Sequence, residues 1–352
     1  MENLKINEAP IRTSRNFNIN NVKLENINIP NEIKNFENVI IPEENLKVEN
    51  EISNISLTYG LSDVLTEQVK NNANKKIKII LNDKKNKDVK LDFKFDKNNE
   101  NLVENIEIIA KEESEGTIII KYLSDEDIEA YHNGIIRVEA KQNAKVNIIL
   151  VNLMNTKSNN FMAIENTVEE SAGVNYTIID FGGLNSITNY YSNLVGENSD
   201  NKINTIYLGK ENQLLDLNYI AELKGAKSNI DIEVQGALRD TAKKHFKGTI
   251  DFKKGCKKAT GNENEACMLL SDTAKSLALP MLLCSEEDVE GNHSSSSGKI
   301  GEKELFYIMS RGFELKEAIK LIVRAKFNKI LENIQSEELR EFLLEQIDAR
   351  LE

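Results

Sequence analysis

Alternation of apolar and polar residues is the clearest pattern along the chain, and it begins near Lys76. From there, short runs of alternating side chains are separated by polar turns: KIKIILN, VKLDFKF, ENIEIIAK, GTIIIKYL and GIIRVEA. A period of two residues is typical of a β-strand with one buried face. The pattern predicts a mainly β core over residues 76–298.

A loose repeat organises the middle of this core. The segments AKVNIIL, GVNYTIIDFG, NKINTIYLG and SNIDIEVQG place Val146, Val174, Ile203 and Ile230 at spacings of 28, 29 and 27 residues. A second apolar run lies within each step, so one unit supplies about two strands and two turns. Stacked units without a helix between them predict a parallel β-helix, or solenoid. An antiparallel sandwich also contains many short, regularly spaced strands, and stays open as the alternative.

The two ends of the chain differ from the core. Residues 1–75 are rich in Asn, Glu, Lys and Ile, and their weak periodicity predicts an irregular arm with one short helix near Leu61–Asn71. Residues 299–352 are predicted to be helical. Glu314–Ile334 has an apolar stripe, and Ser336 is the expected N-cap of a last helix. We expect these helices either to cap the open end of a solenoid or to offer a groove to a partner.

Charge and motif content exclude several classes of function. The formal net charge is −12 and lysines are interspersed with acids, which argues against nucleic acid or an anionic membrane as a partner. No export signal or membrane-length apolar window is evident, so a cytoplasmic location is expected. The three cysteines form no C-x-x-C pair and fit a reducing compartment. The sequence contains no P-loop, dinucleotide-binding, nucleophile-elbow or H-E-x-x-H motif.

The cysteines and one histidine are the remaining candidates for chemistry. Iron and iron–sulfur clusters bind thiolates and imidazole, and Cys267, Cys284 and His293 lie within 27 residues of one another. Cysteine is also among the most buried residue types, so we interpret Cys256 and Cys284 as structural and leave Cys267 open. His293 lies in EGNHSSSSG, a predicted polar loop, where a functional and a merely solvated role are equally open.

The other two histidines are predicted to be at the surface and without function. His132 lies in YHNG and His245 lies in KKHFKG, and both contexts are polar.

Residues 280–312 combine several residues at fixed spacing: Pro280, Asp288, Val289, His293, Gly298, Leu305, Phe306, Tyr307, Ser310, Arg311 and Gly312. In this combination the stretch resembles the C-terminal motif of the SufB/SufD family of iron–sulfur cluster assembly scaffolds. The resemblance extends upstream through RDTAKKHFKGTIDF and ACMLLSD. It is specific over about residues 240–352 and extends more weakly over the rest of the chain.

The resemblance implies a right-handed parallel β-helix with helical ends. It implies pairing with a SufB-like scaffold, and binding of a SufC-like ABC ATPase through the C-terminal helical region. The residues it assigns to ATPase docking are Leu305, Phe306, Tyr307, Ser310, Arg311 and Gly312. A cysteine desulfurase would supply sulfur indirectly. The chain would then be a scaffold and not an enzyme, and would bind no cofactor tightly by itself. Iron or an iron–sulfur cluster would be held transiently at the partner interface, with His293 as a candidate iron-binding residue.

Departures from the motif favour SufD over SufB. SufB proteins have His-Glu-Ala-Thr at the motif histidine and SufD proteins usually have His-Gly-Ala-Thr, whereas this chain has His293 followed by three serines. Counting back from His293 places Glu265 at the position of the SufB interface cysteine. Cys267 follows two residues later and is expected on the same strand face. A SufB-like or homodimeric SufBD scaffold stays open, as do a β-helix carbohydrate-active enzyme and a passive adaptor.

Overall fold

The computed structural model describes residues 2–13, 18–40, 46–47 and 55–352. Two nine-stranded sheets dominate these ranges. Each consists of eight parallel strands, and one short antiparallel strand pairs with the first of them at the N-terminal end of the solenoid. Successive strands alternate between the two sheets, so two strands form one coil and eight coils stack. The predicted parallel solenoid is therefore confirmed, and the antiparallel sandwich is excluded.

We call the two sheets sheet 1 and sheet 2. Sheet 1 contains β3 (Val39–Ile40), β6 (Val89–Phe95), β8 (Glu115–Ser124), β10 (Lys145–Leu153), β12 (Gly173–Asp180), β14 (Asp200–Gly209), β16 (Asn229–Leu238), β18 (Ala259–Leu269) and β20 (Val289–Gly298). Sheet 2 contains β4 (Leu46–Lys47), β5 (Lys75–Leu81), β7 (Asn101–Ala110), β9 (Tyr131–Ala140), β11 (Asn159–Val168), β13 (Asn185–Leu194), β15 (Leu214–Leu223), β17 (Lys243–Phe252) and β19 (Lys275–Cys284).

The observed register corrects one position of the predicted repeat, and with it two of the three spacings. Val146 pairs with Val174 as expected, but Val174 pairs with Asn201, and Asn201 pairs with Ile230. Ile203 lies two residues further along the same strand face. The apolar pattern pointed to Ile203 because a shift of two residues preserves the buried face. Asn201 is tolerated inside because its amide donates to the Val174 carbonyl and to the Tyr190 hydroxyl.

The N-terminal segment is more ordered than predicted. In its described part, β1 (Glu2–Ile6) and β2 (Val22–Ile27) form an antiparallel pair, and α1 (Asp63–Asn72) matches the expected helix. The outer face of sheet 2 supports these elements, because Leu4, Leu65 and Phe161 belong to one buried apolar cluster. Residues 1, 14–17, 41–45 and 48–54 of the predicted arm lie outside the described ranges.

Three helices follow the last strand: α2 (Glu302–Met309), α3 (Leu315–Leu331) and α4 (Glu337–Leu351). Ser336 caps α4 as predicted, since its hydroxyl accepts from the backbone N–H of Leu339. Of the two uses expected for these helices, capping the open end of the solenoid does not apply to α3 and α4. They lie on the outer face of sheet 1, where Val151, Ile179 and Phe181 are buried beneath them. These outward residues are apolar, so they require a cover.

No helix in the described part of the chain is both long enough and apolar enough to cross a bilayer.

Candidate functional site

The C-terminal end of the solenoid is open. The last strand of sheet 1, β20, pairs with β18 on one side, and no described strand pairs with its other edge. Nine of its ten residues, from Glu290 to Gly298, are exposed. His293 therefore lies in a strand, and the prediction of a loop is wrong. The run of serines obscured this strand, because a terminal coil has no further coil to pack against and so needs no apolar side chains.

Strand pairing brings the predicted site residues to one face. Glu263 pairs with His293, Glu265 with Ser295, and Cys267 with Ser297. Alternate residues of β18, including Glu263, Glu265 and Cys267, are buried, so this face points into the solenoid. Side chains of register partners in parallel strands leave the sheet on the same side. Cys267 and Glu265 thus share a face, as expected, and His293 lies one strand away. Their roles stay predictions.

Both carboxylate oxygens of Glu265 accept hydrogen bonds from other residues of the chain. One carboxylate oxygen accepts from Lys244 Nζ at 2.7 Å and from the Tyr207 hydroxyl at 3.0 Å, and the other accepts from Ser295 Oγ at 2.9 Å. Lys244 and Glu265 are both fully buried. Such a pair stabilises the fold only when its geometry is good and its polar atoms are satisfied. Both Glu265 oxygens have partners, which argues against Glu265 as a metal ligand.

Glu263 has the opposite environment. Its side chain is buried, and neither carboxylate oxygen has a hydrogen-bond partner within the described residues. Burial, with a smaller contribution from the charge of Glu265, raises the pKa of Glu263 to about 8. The carboxylate extends to Gly248 in sheet 2, where a Cβ atom would collide with it. Sequence reasoning missed Glu263 and Lys244. The sequence did carry a signal for both residues, because they are charged and stand at strand positions where the alternating pattern predicts a buried side chain.

The three thiols differ in accessibility. Cys256 is fully buried in the main apolar core, as a structural residue would be. Cys267 is 4% exposed, and burial raises the pKa of its thiol, so the protonated and weakly nucleophilic form is favoured. Cys284 is exposed, which contradicts its interpretation as a buried structural residue. It is the last residue of β19 at the open end, and its Sγ donates to the Glu286 carbonyl at 2.9 Å.

The predicted surface position is wrong for His132 and holds only in part for His245, while their predicted lack of function stays a prediction. His132 is fully buried, with Nδ1 2.7 Å from Asn160 Oδ1 and Nε2 3.2 Å from Glu104 Oε1. His245 is only 18% exposed, and its Nδ1 is 3.2 Å from Asp216 Oδ2. Polar neighbours in sequence made both look exposed, but alternate residues of a strand face opposite sides of the sheet.

Three of the predicted docking residues, Leu305, Phe306 and Tyr307, lie on α2, which has no buried residue. The other three, Ser310, Arg311 and Gly312, follow directly after this helix. Phe306 is 75% exposed and Tyr307 is 59% exposed, and we call these two residues together with Met309, Phe313 and Leu315 the α2 patch. The Arg311 guanidinium donates to the Tyr307 hydroxyl at 2.7 Å. Gly312 then ends this segment with φ +98°, a conformation that glycine adopts without strain.

Within the described ranges, no group of three or more His, Cys, Asp and Glu side chains is arranged to bind a metal by itself. The open end does bring an exposed imidazole, a buried carboxylate and a thiol to one face of two adjacent strands.

Comparison with known proteins identifies the family of the chain. A family model described as "SUF system FeS cluster assembly, SufBD core domain" matches residues 93–326. The chain belongs to the SufBD family. The match includes the solenoid from β6 onward, the strand of His293 and all of α2. The predicted family is thus confirmed.

The most similar relatives include two SufD proteins. The iron–sulfur cluster assembly protein SufD of Bacillus subtilis is 23% identical over 261 residues, which is 74% of this chain and 60% of the relative. SufD of Escherichia coli is 24% identical over 241 residues, or 68% and 57% of the two chains. An iron–sulfur cluster assembly SufBD family protein of Pyrococcus horikoshii is 31% identical over 166 residues, or 47% and 36%. These matches support the predicted likeness to SufD. The chain spans less than two thirds of the length of these relatives.

Proposed function

We propose that this chain is a non-catalytic, SufD-type scaffold subunit that pairs with a SufB-like protein. The observation that carries the proposal is the open end of the solenoid, where β20, with His293 on it, offers a strand edge that pairs with none of the described strands. An exposed edge of ten residues is a template for pairing with another strand, and a folded protein normally blocks or covers it. A partner strand would extend sheet 1 and enclose the interior-facing residues of β18 and β20.

The α2 patch is the proposed site for a SufC-like ATPase. Large exposed aromatic side chains next to an arginine are typical of the centre of a protein interface. The patch follows the last strand by only a few residues, so an ATPase bound there would lie close to the open end. Movement of the ATPase on ATP binding would then shift the paired strands between two arrangements.

Iron enters this proposal as cargo. His293 has no described hydrogen-bond partner and offers an imidazole at the proposed interface, while sulfur would arrive indirectly from a cysteine desulfurase. Thiolates would come mainly from the partner, because Cys267 is buried and its thiol pKa is raised, and Cys284 is the exposed thiol of this chain at the open end. A cytoplasmic location belongs to the same proposal, since assembly requires a reducing compartment.

Co-expression with the SufC-like and SufB-like proteins of the same organism tests the proposal. We expect the tagged chain to retain both proteins in pull-down, and iron and sulfide in the eluate to be lost in His293→Ala. Replacing both Phe306 and Tyr307 by Ala is expected to reduce ATPase retention at least about tenfold, as loss of interface anchors does. Val195→Ala, which truncates an exposed residue on a solenoid turn, is the control.

The other outcomes distinguish the alternatives. Retention of the ATPase alone, with the chain self-associated, would favour a homodimeric SufBD scaffold. Retention of neither protein would contradict the proposal and return attention to an adaptor or a carbohydrate-active β-helix.

A further inference from the structure

We infer that Glu263 is a second iron-binding residue at the open end of the solenoid, and that it binds Fe²⁺ together with His293. This inference rests on the proposed function, because it names the atoms on this chain that would hold the cargo. No motif residue of the sequence pointed to Glu263. The structure assigns it through its register, its burial and its lack of a partner.

Register places the two side chains side by side. Glu263 in β18 and His293 in β20 are paired residues of adjacent parallel strands. Their side chains leave the sheet on the same side, from backbones about 5 Å apart. Metal bonds to carboxylate oxygen and imidazole nitrogen are each about 2 Å long. One ion between the two side chains can therefore reach both.

The carboxylate of Glu263 lacks any other partner that would explain its position. It is 2% exposed, and neither oxygen accepts a hydrogen bond from a described residue. A buried polar group without a partner destabilises the fold, so such groups are rare in native proteins. Glu265 lies two residues away on the same face, and both of its oxygens accept hydrogen bonds, as is usual for a buried carboxylate. A bound cation would supply what Glu263 lacks.

The opposite sheet leaves space for the Glu263 side chain. Gly248 faces it across the interior, and a Cβ at that position would collide with the carboxylate. Gly248 is followed in the last coil by its register partner Pro280, which offers no backbone N–H to the site. Lys244, a buried cation on the same strand as Gly248, is already paired with Glu265 at 2.7 Å. Gly248, Pro280 and Lys244 therefore supply no competing donor to Glu263.

The chemistry of this pair suits ferrous iron. Imidazole and carboxylate together form the protein ligands of many non-haem Fe²⁺ sites, which keep further positions open. Two ligands from this chain leave the remaining positions for water in the free protein, and for ligands of a partner in a complex. The described residues contain no third ligand in the same group, which agrees with an incomplete site.

Anaerobic titration of the purified full chain with Fe²⁺, read out by competition with a coloured chelator, tests the inference. We expect one ion per chain, and a dissociation constant about 10- to 100-fold higher in Glu263→Gln, since loss of even an outer partner of a metal has effects of this size. His293→Ala is expected to have an effect of the same order. The Fe²⁺ affinity of the double variant is expected to be only slightly lower than that of either single variant, because the two residues bind the same ion.

Glu104→Gln is the matched control. Glu104 is equally buried and also has one oxygen that accepts no hydrogen bond from a described residue, but it lies in β7 near the other end of the solenoid. Gln has the shape of Glu, so both variants are expected to fold, which thermal unfolding checks. Titration with Co²⁺ gives a second readout, because loss of a ligand alters its visible absorption spectrum.

Unchanged Fe²⁺ affinity in Glu263→Gln, or no Fe²⁺ binding by the wild-type chain at millimolar concentration, would overturn the inference. Neither result would contradict the proposed function, which is tested separately by partner retention. Loss of partner retention together with intact Fe²⁺ binding through Glu263 would instead contradict the proposed function and support the iron site. An equal loss of affinity in Glu104→Gln would show that the effect is structural, and would also overturn the inference.

Discussion

Buried polar side chains occupy much of the solenoid interior, and most are held by specific partners. Asp180 is an example, because its carboxylate accepts from Asn152 Nδ2 at 2.9 Å and from the Ser186 hydroxyl at 2.9 Å. Burial nevertheless raises the pKa of Asp180 to about 6, from an ordinary value of 3.8. Neutral hydrogen bonds thus offset only part of the cost of removing the charge from water.

This shift predicts a pH-dependent effect of Asp180→Asn. The folded chain holds the Asp180 proton more tightly than the unfolded chain does. The contribution of Asp180 to the free energy of unfolding is therefore most favourable below about pH 4 and is lost as the pH rises past about 6. We expect the free energy of unfolding of Asp180→Asn, relative to wild type, to increase by up to about 3 kcal/mol between about pH 4 and pH 7. Urea unfolding at several pH values measures this difference.

Asp272→Asn is the control for that experiment. Asp272 is exposed, and its pKa lies below the ordinary value because Lys299 is beside it. The stability of this variant relative to wild type is expected to stay flat between about pH 5 and pH 8. A flat profile for Asp180→Asn as well would show that Asp180 is charged in the folded chain at all these pH values.

Stacked turns are the repeating element outside the strands. A residue in the left-handed region follows most strands of sheet 2, once per coil: Glu113, Asn143, Ser171, Asn198, Lys227 and Lys258. These turns lie one above another, since the N–H of each of these residues donates to a carbonyl in the turn of the next coil. Because each turn is aligned with the turn of the next coil, the strands that follow are also aligned. The turn geometry and the strand pairing therefore support each other.

The close approach of two turns predicts a severe effect of Gly225→Ala. A Cβ on Gly225 would collide with the backbone carbonyl of Gly196 in the preceding coil. Backbone atoms held in a stack cannot move aside without disturbing the neighbouring coils. We expect Gly225→Ala to lower the free energy of unfolding by about 3 kcal/mol, the upper range for overpacking. Chemical denaturation measures the loss.

Gly298→Ala is the matched control, because a Cβ on Gly298 would meet no atom within 4 Å. Its stability is expected to equal that of wild type within about 0.5 kcal/mol. Equal stabilities of the two variants would show that the turns are looser than the structure indicates.

The whole molecule is a solenoid with both outer faces partly covered. The N-terminal strands and α1 lie on sheet 2, and α3 and α4 lie on sheet 1. Phe327 of α3 stacks on Phe181 of the loop after β12, with ring centroids 6.3 Å apart. The same cluster includes Leu343 and Ile347 of α4, so Phe327 joins the two helices to the solenoid.

Phe327→Ala is therefore expected to weaken the attachment of the helices to the solenoid. Phe327 is fully buried, and truncation of such a residue costs about 3–5 kcal/mol. We expect amide hydrogen exchange to accelerate in α3 and α4 while the strands of the central coils stay protected. Leu321→Ala, on the exposed side of the same helix, is the control and is expected to change exchange little. Uniform acceleration through all coils would instead show that helices and solenoid unfold as one unit.

Local periodicity in the sequence determined the strands, the step of about 28 residues, the C-terminal helices and the N-cap at Ser336, because alternation and capping depend on neighbours along the chain. The family motif likewise singled out His293. Only the tertiary structure decided the register at Asn201, the burial of His132, the exposure of Cys284 and the place of α3 and α4. The surroundings of the Glu263 carboxylate were likewise decided by the tertiary structure, since they are formed by strands about 15 to 30 residues away along the sequence. Pairing across coils fixes which polar residues meet, and a sequence pattern of period two leaves that choice open.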